Sequence, residues 1–164
     1  MFRKYRTRHY ATRIELAASL MPNAAIGADV MTGFPGETDA EFDETVRFIE
    51  DRPFTYLHVF TYSERPGTAA ANLPNPVPPE VRHARTQNLR SLSDRKNEAF
   101  RRRMVGQTLS AVTLEQSGIA LTTNFLRVKM NQSRSPNQIL DLPIASIDHT
   151  GLIESGFFPI LDSH

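Results

Sequence analysis

The stretch Ala24-Ala25-Ile26-Gly27-Ala28-Asp29-Val30-Met31-Thr32-Gly33-Phe34-Pro35-Gly36-Glu37-Thr38-Asp39-Ala40-Glu41 decides how this chain is read. Its first eight residues form a short, mostly apolar run carrying Ile26 and Val30, the pattern of a buried strand. Thr32 to Gly36 is a turn. Thr38 and Glu41 then stand three residues apart, the spacing of a capping box, in which a hydroxyl and a carboxylate satisfy each other's orphan amides. Asp39, Glu41, Asp43 and Glu44 suit the positive end of the helix that follows, and Phe42, Val46 and Ile49 give it one apolar face. Pro53 stops it. Thr55-Tyr56-Leu57-His58-Val59-Phe60-Thr61, rich in β-branched and aromatic residues, reads as a second strand. Strand, helix and strand within some 40 residues predict a βαβ unit with a parallel pair.

Upstream, Tyr10, Ile14, Ala17 and Met21 recur at helical spacing and predict a helix over 7–21, ended by Pro22-Asn23. The unit is then αβαβ. Parallel strands are normally covered on both faces, and two strands with two helices cannot build that sheet. The expectation is that other chains complete it or that it is a portion of a larger α/β barrel. Downstream, 62–79 is loop-like, with four prolines in 74–79 that forbid regular helix. A helix follows to about Met104, with Val81, Ala84, Leu89, Leu92, Ala99 and Phe100 as an imperfect apolar stripe and Gly106 placed to end it. Beyond Gly106, residues 108–115 alternate, with Leu109, Ala111 and Thr113 on one side. Residues 120–130 and 138–147 read as further strands, and the spacing predicts a small OB-like β-barrel. Gly156-Phe157-Phe158-Pro159-Ile160 is apolar without a clear period. The expected divisions are 1–75, 76–105 (Pro-rich linker and basic helix) and 106–164.

Composition narrows the function classes. The 164 residues are 40% hydrophobic and 23% charged, an ordinary globular share. No apolar run approaches the ~20 residues of a membrane span, and no apolar segment follows the basic N-terminus as a signal peptide requires. With no cysteine, the chain forms no disulfide and offers no thiolate to zinc or an iron–sulfur cluster; a cytoplasmic location is expected. The five histidines never fall at metal-ligand spacing. Net charge is +1, yet thirteen of the nineteen Lys and Arg fall in two blocks, 3–13 and 82–103, and eight of the eighteen acids lie between Asp29 and Asp51. Such a stripe is either a solvated helix face or a nucleic-acid footprint.

Gly33 to Thr38 lacks the Gly-Lys-Ser/Thr ending of a phosphate loop and is no dinucleotide fingerprint. Two readings stay open: a tight, well-capped strand-to-helix turn, or a ligand edge at the C-terminal end of a barrel strand, where active sites gather. His58, in mid-strand, is expected to be a core histidine.

The residues at 29–38 resemble the fifth-strand segment of radical S-adenosylmethionine enzymes of the methylthiotransferase family, and His58 to Ala70 resembles the sixth strand and following loop. Phe100 through Gly106 to Glu115, with Thr123 to Val128, resembles the family's TRAM domain, a small RNA-binding barrel. The Ser63-Glu64-Arg65-Pro66-Gly67-Thr68 run after Leu57 to Phe60 is most similar to the MtaB-like branch, which methylthiolates N6-threonylcarbamoyladenosine in tRNA. MiaB-like and RimO-like branches are the alternatives. The resemblance implies a partial radical SAM βα barrel followed by a helix and a TRAM-like barrel. It implies Gly33, Phe34, Pro35, Gly36 and Glu37 along S-adenosylmethionine, with Phe60 and Tyr62 as walls for its adenine; their other role is core packing and loop anchoring. It implies tRNA as partner, with Arg101, Arg102, Arg103, Phe125, Arg127 and Lys129, and Arg134 beside them, on the RNA side. The family's 4Fe–4S clusters are held by cysteines that this chain does not contain, so no catalytic residue is assigned, and a missing half carrying them is the expected partner. A stand-alone RNA-binding module or a degenerate product without a stable fold are the other readings.

Overall fold

A computed structural model describes residues 7–156; the basic residues Arg3, Lys4 and Arg6 and the apolar run from Phe157 to Ile160 lie outside the described residues. The chain divides into two compact units, one up to Asn97 and one from Glu98.

The first unit is α1 (Thr7–Leu20), β1 (Gly27–Thr32), α2 (Asp39–Glu50), β2 (Tyr56–Thr61) and a short 3-10 turn at Ala69–Asn72, then most of α3 (Pro79–Arg103). The capping box at Thr38 and Glu41 forms as the spacing predicts. The Thr38 amide and hydroxyl both donate to the Glu41 carboxylate and hold it below its ordinary value. β1 and β2 pair in parallel from Gly27 opposite Tyr56 to Thr32 opposite Thr61, with α2 as the connection. The sheet has only these two strands among the described residues.

Alternation sorts its two faces. Ala28, Val30, Leu57 and Val59 pack into a cluster with Ile14 of α1, Phe42 and Ile49 of α2, Phe54, and Leu89 and Leu92 of α3. The other face carries Asp29, Met31, His58 and Phe60, all exposed. The expected core histidine is therefore overturned. His58 is opposite Asp29 on the uncovered face, its ring edge-on to Tyr56 at 5.2 Å. The reading assumed that both faces of a parallel strand are covered, and here only one is.

The second unit is a closed barrel in the order β3 (Thr108–Thr113), β4 (Ile119–Thr122), β5 (Arg127–Lys129), β7 (Leu152–Glu154) and β6 (Ile139–Ile147). Leu109, Ala111 and Thr113 face inward as the alternation requires, with Ala120, Val128, Leu142, Ile144 and Leu152, and with Phe100 and Met104 from the end of the helix. The run 120–130, expected as one strand, is two, broken by a tight turn at Thr123 to Leu126 in which Phe125 takes a left-handed backbone (φ 63°). β7 was not legible: three residues are too few for a period, and they pair in parallel with β5 while closing antiparallel onto β6. Gly106 turns the chain out of the helix at φ 82°, its amide bonding the Ile144 carbonyl.

Candidate functional site

In the first unit the amides of Gly33, Gly36 and Glu37, in the loop after β1, are all bonded within the protein. Gly33 donates its amide to Glu37 Oε2 (2.6 Å), Gly36 to the Asn75 carbonyl (2.8 Å) and Glu37 to the Phe34 carbonyl (2.9 Å). The Thr38 amide goes to Glu41. Amides used in this way cannot cradle a phosphate. What the loop offers is the open side of Gly36, where an added Cβ would meet nothing within 4 Å. It also offers the half-exposed ring of Phe34. Such an edge suits a flat, neutral group such as a purine rather than an anion.

Gly33 behaves differently. A Cβ there would lie 2.4 Å from Arg82 Cγ, and its φ is 77°. Glycine is required because α3 covers it. Arg82 also pairs with Glu64 (2.9 Å) and lies over the Tyr62 ring at 5.4 Å. Tyr62 is buried and meets Phe34 edge-on at 5.3 Å. Phe60, in contrast, is 51% exposed on the uncovered sheet face beside Met31. The structure therefore gathers Phe34, Tyr62 and the loop, and leaves Phe60 on the open face with His58 and Asp29.

Glu37 turns inward. Its carboxylate accepts from Gly33 and from Arg85 Nη1 (2.7 Å), while Arg85 Nη2 reaches Asp39 (2.6 Å). Arg85 is 6% exposed and lies over the Phe42 ring at 5.3 Å. Burial works against its charge, but the bonds from Asp39 and Glu37 outweigh it and raise the guanidinium pKa. Thr86, the next residue, accepts from the buried hydroxyl of Thr32 (2.9 Å) and the half-buried one of Thr61 (2.7 Å) while donating to the Arg82 carbonyl, so the C-terminal ends of both strands are tied to one hydroxyl on α3. Ser93 caps the Leu57 amide at 2.8 Å. The apolar stripe legible in the sequence of α3 leaves out these polar members. Extending the Leu89–Leu92 spacing back by one turn reaches Arg85 and Thr86, which is the signal that would have found them.

A separate cleft of about 580 Å³ opens beside β1 between α1 and α2, lined by Tyr10, Asp29, Met31, Glu41 and Phe48 among others. None of Gly33 to Glu37 lines it.

In the second unit, β5 presents Arg127 and Lys129 outward on either side of inward Val128. Leu121 and Ile119 are their cross-strand partners, and Ile153 stands opposite Lys129 on the other side. Lys129 pairs with Asp148 at 2.5 Å, and Arg101 donates to the Asp148 carbonyl at 2.8 Å. Asp148 also receives Thr150 and Gly151, and these bonds, Lys129 foremost, hold its carboxyl far below the ordinary range. Arg102 pairs back onto Glu98 of its own helix, and Arg103 lies over the Phe100 ring at 5.2 Å. Arg127 bonds the neutral side chain of Gln116. Arg134 pairs with the buried Glu154. Among the described residues of the second unit, Arg102, Lys129 and Arg134 are thus paired with carboxylates and Arg101 is held by a carbonyl, while Arg103 and Arg127 meet only a ring and a neutral amide. Phe125 is 78% exposed at the turn leading into β5.

Among the described residues, no group of three His, Asp or Glu could hold a metal, and no helix is long and apolar enough to cross a membrane.

No protein-family model matches the chain. It is 40% identical over 118 residues to the tRNA-2-methylthio-N(6)-dimethylallyladenosine synthase of Thermobifida fusca, covering 72% of this chain and 24% of that protein. It is 33% identical over 129 residues to the threonylcarbamoyladenosine tRNA methylthiotransferase MtaB of Aquifex aeolicus, covering 79% and 31%. Over 155 residues, 90% of this chain and 35% of the relative, it is 32% identical to the dimethylallyladenosine-type synthase of Ehrlichia chaffeensis. The chain spans about a quarter to a third of the length of these relatives. Over most of its own length, across both compact units, it is similar to tRNA methylthiotransferases of the two named kinds.

Proposed function

We propose that this chain is a portion of a tRNA methylthiotransferase, its first unit contributing one side of an S-adenosylmethionine site and its barrel holding tRNA. The observation that carries the reading is the similarity to such enzymes over 155 residues, which runs through loop and barrel alike. The geometry agrees with it: a parallel pair with one face uncovered, a loop offering an apolar edge, and a closed barrel with outward cations and an exposed ring. In this reading the uncovered sheet face and the cleft beside β1 are where the rest of the radical SAM barrel packs.

The residues present fit the adenosine part of S-adenosylmethionine and do not fit a 4Fe–4S cluster. The chain has no cysteine, and no alternative cluster of ligands exists among the described residues. The reading makes the chain incompetent alone: 5′-deoxyadenosine formed by the purified chain would contradict it. It also places the protein in the cytoplasm with its tRNA.

The modified base is proposed to be N6-threonylcarbamoyladenosine, supported by the similarity of 57–68 to that branch and by the MtaB relative. The dimethylallyladenosine reading is favoured by the relative at 40% identity. Competition between anticodon stem-loops bearing each substituent separates them.

Electrophoretic titration of the chain with tRNA at several salt concentrations tests the barrel. The expected result is binding that weakens with salt. Its salt slope should fall by about one when Arg127 or Arg103 becomes Ala. Lys129→Ala should change it less, because Asp148 already neutralises that charge. Salt-independent binding, or none, refutes the RNA role. tRNA binding without S-adenosylmethionine binding would favour a stand-alone RNA-binding module.

A further inference from the structure

We propose that Arg85, on α3, is the positioning residue of the 33–37 loop: acting through Glu37, it holds the Gly33 amide and the open side of Gly36 in the shape that accepts the ligand's purine edge. The inference rests on the reading of that loop as the S-adenosylmethionine edge and adds the residue that fixes its shape.

The geometry is that of a latch. One oxygen, Glu37 Oε2, takes both the Gly33 amide at the start of the loop (2.6 Å) and Arg85 Nη1 (2.7 Å). The same Nη1 bonds the Glu37 carbonyl at 3.1 Å, while Nη2 reaches across to Asp39, beyond the loop, at 2.6 Å. A planar fork does this from one position, spanning both ends of the loop, and an ammonium point charge does not. The guanidinium is also stacked on Phe42, so its place is set by the core and not by the loop. Arg82, one turn earlier on the same helix, closes over Gly33.

Removal of Arg85 leaves the Glu37 carboxylate, whose side chain is 17% exposed, without its cation. A half-buried carboxylate without a counter-charge turns toward water. Turning outward, it releases the Gly33 amide, and a loop with two glycines at positive φ then samples many shapes. Ordering it again on binding costs affinity, which is how preorganisation acts. Asp39, with a side chain 91% exposed, is the dispensable end of the latch.

The test uses the whole chain as wild type, R85A, R85K and D39N, with S-adenosylmethionine as the probe in equilibrium dialysis and amide hydrogen exchange measured alongside. The expected result is affinity about tenfold weaker in R85A, partly recovered in R85K, and within about twofold of wild type in D39N. Exchange at Gly33 should quicken by a similar factor in R85A while the amides of β1 and β2 keep their rates. Unchanged affinity in R85A overturns the proposal, and so does faster exchange spread evenly through the unit, which marks a merely structural role. Should R85A not fold, R85K carries the decision: wild-type affinity and wild-type Gly33 exchange in it refute the fork. A wild-type chain that takes up no S-adenosylmethionine overturns the ligand reading itself and the positioning role with it; wild-type exchange at Gly33 in R85A overturns the latch independently.

Discussion

Thr86→Val replaces a hydroxyl by a methyl of the same shape, so it opens no cavity and isolates the hydrogen bonds at the strand ends. Thr32, 1% exposed, loses its acceptor where water cannot reach, a cost of about 1–3 kcal/mol. Thr61 is half-buried and partly rehydrates, adding about 0.5–1 kcal/mol. The Arg82 carbonyl keeps its place in the helix ladder and contributes little. The sum is about 1.5–4 kcal/mol, and with a urea slope near ~1.5 kcal/mol per molar the midpoint should fall by roughly 1–2.7 M. Tyrosine fluorescence reads this unit alone: the four tyrosines, Tyr5, Tyr10, Tyr56 and Tyr62, all precede Glu98, and there is no tryptophan. The decisive comparison is the double variant Thr32→Val with Thr86→Val. Deleting the orphaned hydroxyl as well should make the double more stable than Thr86→Val alone. A single variant within about 0.5 kcal/mol of wild type, or a double in which the two costs simply add, refutes the tether.

Leu142→Ala should cost the barrel about 2–5 kcal/mol through an interior cavity, read by circular dichroism, while the tyrosine transition stays where it was. Thr38→Ala removes the helix cap and should lower the first unit's stability by about 1 kcal/mol in the same urea titration. Asp148 has a depressed carboxyl in the folded barrel, so its contribution is fully present above its ordinary value of 3.8 and is lost as pH falls below it. Thermal midpoints of the barrel should therefore drop from about pH 4 toward pH 2, and Asp148→Asn should flatten that drop; an unchanged slope would remove Asp148 from the acid response.

Local signals carried much of the fold. The capping box, the alternation in β3 and the two strands around α2 were legible because each rests on neighbours a few residues apart in sequence. The rest depends on partners far along the chain. Arg85 looked like part of a charged stripe, since nothing near it in sequence says that Glu37, 48 residues earlier, will meet it. Glu37 looked like a ligand contact and is the loop's own brace. Lys129 and Arg101 looked like free cations until the turn at Asp148 came to both. His58 shows the opposite error, a polar residue assigned to a core because the strand around it is apolar.

Phe125 carries a trade-off that selection, rather than folding, has to resolve. A bulky aromatic in the left-handed region costs on the order of 1–2 kcal/mol that glycine or asparagine would avoid. Its ring, turned to solvent, contributes almost no burial in return. A sequence chosen for stability alone would not keep it, so, on the proposed RNA role, Phe125→Gly is expected to move two properties in opposite directions, tightening the turn and raising the barrel's melting temperature while weakening RNA binding. Stabilising screens of this barrel would find that substitution early, and under the proposed role would lose RNA binding by finding it.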